Sequence, residues 1–132
     1  MRPNNLLTLA SLLSLLLLTI HVTDDIVRGF DEAGLVNMIA ITVAAVLLYG
    51  TLVLRERLSG HIIMLLISIF AVGMPVIHLR SPHINDTARS AGGFFFIWTL
   101  WALGVIGIFG IILAVRGIWE LQRARKPRET DR

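Results

Sequence analysis

Four histidines, at positions 21, 61, 78 and 83, are the only imidazoles in a 132-residue chain that contains no cysteine. Asp24 and Asp25 follow His21 at i+3 and i+4. If a helix carrying His21 continues one turn, all three side chains share a face. His78 and His83 occupy the matching place after a later apolar run, beside Arg80 and Asp86. Imidazole combined with carboxylate suits zinc, iron or manganese. His21, Asp24, Asp25, His78 and His83 therefore form a candidate metal set. His21 and His78 as a pair could instead ligate a haem held between helices. The competing reading is plainer: polar residues that end an apolar helix and meet water.

Other chemistry has less to stand on. The lack of cysteine excludes thiolate metal sites, disulfides and Cys nucleophiles. Asp24, His78 and Ser81 have the residue types for acid–base or nucleophilic work, but their spacing matches no motif. G-x-S-x-G, H-E-x-x-H and phosphate-binding loops do not occur. An enzyme is thus left without support from the residues. Asn85-Asp86-Thr87 fits the short glycosylation acceptor pattern, which matters only on a eukaryotic secretory route.

The elements that must position these residues are apolar runs. The chain is 55% hydrophobic and 16% charged, with mean hydropathy +0.77. Its charges cluster between long uncharged stretches, as in a polytopic membrane protein. The runs lie at about 6–22, 35–54, 61–79 and 94–115, and none contains Asp, Glu, Lys or Arg. That speaks against a proton-coupled carrier, which needs a mid-membrane carboxylate or base. The first run carries nine leucines and is followed by no A-x-A-like site, so an uncleaved anchor is expected rather than a signal peptide. Ala40 with Ala44, and Gly104 with Gly107 and Gly110, thin helix faces enough to admit a close neighbour. Pro75 is expected to kink its helix just before His78. Phe94, Phe95, Phe96, Trp98 and Trp101 read as an interfacial belt. Beyond residue 117 the chain is basic. A short surface helix bearing Trp119 is expected there, with disorder after Pro127.

With four spans, both termini and the middle connector share a side. Nine of the twelve Lys and Arg fall on that side and three (Arg28, Arg80, Arg89) on the other. The positive-inside rule places the nine in the cytoplasm. The expected fold class is therefore all-α: an integral membrane four-helix up-down bundle over residues 1–117, both termini cytoplasmic, with a basic tail over 118–132. A bacterial inner membrane is the expected location. The halves are faintly alike, so a duplicated hairpin would make His21 and His78 equivalent positions. Expected partners are the lipid bilayer, anionic lipid at the tail, and a second copy or a larger membrane complex; the basic tail reads as lipid contact rather than nucleic-acid binding. Two functions follow. The first is a non-catalytic subunit or accessory component acting through helix contacts. The alternative is a metal- or haem-binding membrane protein that uses the outer-side histidines and carboxylates.

Overall fold

The computed structural model describes residues 3–29, 35–80 and 84–125. Every regular element among them is helical: α1 (Pro3–Val27), α2 (Leu35–Leu52), α3 (Leu58–Leu79), the short α4 (Ile84–Arg89) and α5 (Gly93–Arg125). Three stretches, Asn5–Val27, Leu58–Leu79 and Gly93–Ala124, are long and apolar enough to cross a membrane. The fourth expected span is shorter, since its apolar stretch among the described residues runs from Met38 to Leu52. A fully spanning helix needs about 20 residues, and this stretch falls short of that.

Two boundaries differ from the sequence reading. α1 does not stop at Val22 but runs one more turn to Val27. Threonine hydroxyls help it do so by bonding the carbonyl four residues back, Thr19 to Leu15 and Thr23 to Thr19. α1 then ends at Gly29, whose φ of 71° suits the left-handed cap that a glycine adopts without strain. At the other end of the chain, α5 is unbroken for 33 residues. The short surface helix expected near Trp119 is the last part of α5 itself, and the region after Pro127 lies outside the described residues.

Apolar packing fixes how the helices lie. Leu7, Leu47, Met64 and Ala114 form one buried cluster; Leu17, Leu18, Ala71 and Leu103 a second; Met74, Phe96 and Leu100 a third. Residue numbers rise through the clusters along α1 and α3 and fall along α5. α1 and α3 therefore run one way and α5 runs back between them. Glycine lets α5 approach α3. A methyl group added at Gly104 would stand 2.9 Å from Pro75 Cγ, one at Gly107 would stand 2.9 Å from the Ser68 carbonyl oxygen, and one at Gly110 would strike the Ser68 hydroxyl. α3 stays helical through Pro75, which is buried in this contact.

The outward faces remain apolar. Leu9, Leu16, Ile41, Leu66, Ile69 and Ile112 are each more than half exposed. So much continuous apolar surface is not what water tolerates; it is the covering that lipid accepts.

Candidate metal centre

The extra turn of α1 decides which carboxylate turns inward. The helix continues as the shared face required, but neighbouring residues on it point about 100° apart, so Asp24 and Asp25 do not both face the way of His21 as expected. Asp25 lies under the other helices and is 3% exposed. Asp24 turns aside and accepts from Arg28 Nε at 2.8 Å, an i,i+4 pair. Arg28 also donates through Nη1 to the Ser90 hydroxyl at 3.0 Å, and its guanidinium lies 5.7 Å from the centre of the Phe96 ring. This arginine ties the end of α1 to the turn that precedes α5.

That turn places Phe96 and Thr99. Gly92 adopts φ 75°, and Phe95 and Phe96 donate their backbone N–H groups to its carbonyl. α5 then starts at Gly93 and directs Phe96 and Thr99 inward, where both are buried. His78, on the last turn of α3, completes the group.

The rings of His21 and His78 meet edge to face, 4.9 Å between centres at 82°. Phe96 packs against both, at 5.0 Å and 5.8 Å. Ligand atoms of His21, Asp25 and His78 all lie within 4.8 Å of one another. His21 is fully buried, and its Nε2 stands 3.7 Å from Asp25 Oδ2. That separation is too long for a hydrogen bond.

The second nitrogen of His21 shows which way the ring is set. Thr99 donates its hydroxyl to the Phe96 carbonyl at 2.9 Å, which leaves its lone pairs to accept. His21 Nδ1 sits 3.4 Å from that oxygen. Nδ1 therefore carries the proton and donates, and Nε2 keeps a lone pair. Nε2 is buried and has no hydrogen-bond partner. A bare lone pair thus faces a carboxylate oxygen, an arrangement that a cation between them would satisfy. Metal-bound histidines are held in the same way, with the other ring N–H given to a fixed acceptor. Donors on one tetrahedral ion with bonds near 2.0–2.2 Å stand roughly 3.3–3.6 Å apart, close to the 3.7 Å between His21 Nε2 and Asp25 Oδ2.

Three of the five expected ligands thus converge: His21, Asp25 and His78. Asp24 is turned away, and His83 lies outside the described residues. His61, on the opposite end of α3, is buried with its ring against Gly117 and gives Nδ1–H to the Arg57 carbonyl at 3.0 Å. It has no share in the cluster. Sequence reasoning missed Thr99 and put Phe96 in the interfacial belt, whereas Phe96 is buried against both imidazoles. Thr99 had a detectable signal, being the only hydroxyl in the run from 94 to 115. No protein family, curated protein or solved structure matches this chain.

Proposed function

We propose that this chain is a small multi-pass membrane protein that holds one divalent transition-metal ion between the ends of α1 and α3, with His21 Nε2, Asp25 and His78 as its ligands. The observation that carries this reading is the buried, partnerless Nε2 of His21, fixed as a lone-pair donor by Thr99 and aimed at Asp25. Two imidazoles with one carboxylate suit zinc, iron or manganese and leave positions for water or another donor. α2 serves as the fourth span of an up-down bundle. Both termini and the Arg55–Arg57 connector face the cytoplasm of a bacterial inner membrane, which puts the ion at the outer surface.

A haem is the weaker occupant. The two rings touch at 4.9 Å with Phe96 against both, so no slot for a porphyrin lies between them. The accessory-subunit reading also draws less support, because the small face of α5 is occupied by α3 and is not open to a partner.

Metal content of the detergent-purified full chain after zinc, iron(II) or manganese(II) loading and desalting tests the proposal. One ion per chain is expected, falling close to zero in His21→Ala and His78→Ala. Equal retention by wild type and both variants would refute it.

A further inference from the structure

We propose that the last turns of α5 form a binding site for an anionic phospholipid. The face concerned is opposite the buried Ala114 and Gly117. It carries an open groove of about 730 Å³ lined by Ile111, Ile112, Val115, Arg116, Trp119 and Gln122. These positions recur at helical spacing, so they make one stripe that is apolar at its start and basic at its end.

Chemistry and depth both select the occupant. From Gly93, about 20 residues of helix traverse a hydrocarbon core of roughly 30 Å. The stripe therefore crosses from acyl chains at Ile111 and Ile112 into the headgroup layer at Arg116. Seven residues separate Arg116 from Arg123, about 10 Å along the axis. That distance brackets a headgroup layer about 5–8 Å deep. The Arg123 guanidinium lies 3.5 Å over the Trp119 ring. Stacking on an aromatic face holds the cation in place while its N–H edge stays available. Arg116 pairs with Glu120 at 2.8 Å, whereas among the described residues no carboxylate pairs with Arg123. An acyl chain along Ile111, Ile112 and Val115, with its phosphate at Arg123 and Arg116, satisfies both halves of the stripe. This site is independent of the metal centre at the other end of the bundle.

Fluorescence quenching in vesicles tests it. The full chain carrying Trp98→Phe and Trp101→Phe, so that Trp119 is the sole indole, is reconstituted in phosphatidylcholine. Brominated phosphatidylglycerol or brominated phosphatidylcholine is then added at equal mole fraction. Stronger quenching by the phosphatidylglycerol is expected, with local enrichment of roughly fivefold per arginine. Arg116→Gln with Arg123→Gln removes the preference, and circular dichroism checks that helix content is kept. Excess inorganic phosphate leaves the preference unchanged. Equal quenching by the two lipids, or a preference that survives the double variant, would overturn the proposal. Loss of the preference on adding phosphate would also overturn it, since the site would then be one for the free anion.

Discussion

Thr99→Val isolates the step on which the proposed metal centre turns. The substitution keeps the shape of a fully buried side chain and removes only its hydroxyl. His21 Nδ1–H then loses the acceptor that fixes the ring with Nε2 toward Asp25 and His78. Losing such an outer partner of a metal-bound histidine costs 10- to 100-fold in affinity, about 1.4–2.7 kcal/mol. The His21–Thr99 contact is long at 3.4 Å, which places the effect near the lower end, about tenfold. Thr99→Ser keeps the acceptor and should stay within about twofold of wild type. The assay is competition for zinc against a chelating dye, with cobalt(II) absorption reporting the geometry of the bound ion. Unchanged affinity in Thr99→Val, or equal damage from Thr99→Ser, would refute the role given to this hydroxyl.

Three further outcomes are expected. Asp25→Asn should abolish metal retention while Asp24→Asn spares it, because Asp24 faces Arg28; equal losses in metal content would contradict that division. Metal affinity should weaken on acidification, since protons compete for the ligand imidazoles and carboxylate; isothermal titration at stepped pH measures it, and stronger binding in acid would be the wrong sign. Gly107→Leu should destabilise the α3–α5 contact, where even a methyl group would stand 2.9 Å from the Ser68 carbonyl oxygen, by about 1–3 kcal/mol as overpacking does; thermal unfolding in detergent reads this, and an unchanged midpoint would show that the helices are not so close.

The helices were legible because the middle of each spanning stretch is long, apolar and free of charge, and that pattern needs no tertiary knowledge. Their ends were less so. Val22 looked like a boundary because Thr23, Asp24 and Asp25 are polar, yet Thr23 bonds back to the helix and α1 continues to Val27. That one turn also separates the aspartates, which the sequence analysis expects on one face with His21. His21 and His78 were legible as a pair by their like positions at the ends of two runs. What packing alone supplies is the contact between α5 and α1 that brings Thr99 to His21 across 78 residues of chain. The same holds for the glycine face of α5. Its small residues announced a close neighbour, but only the fold shows that the neighbour is α3 rather than another molecule.

X-ray absorption at the zinc edge of the zinc-loaded full chain tests the central claim most directly. The expected spectrum shows two imidazoles with bonds near 2.0–2.1 Å and additional oxygen ligands at 2.0–2.2 Å, with one imidazole lost in His78→Ala. A shell of oxygen alone, or a spectrum unchanged by His78→Ala, would contradict it.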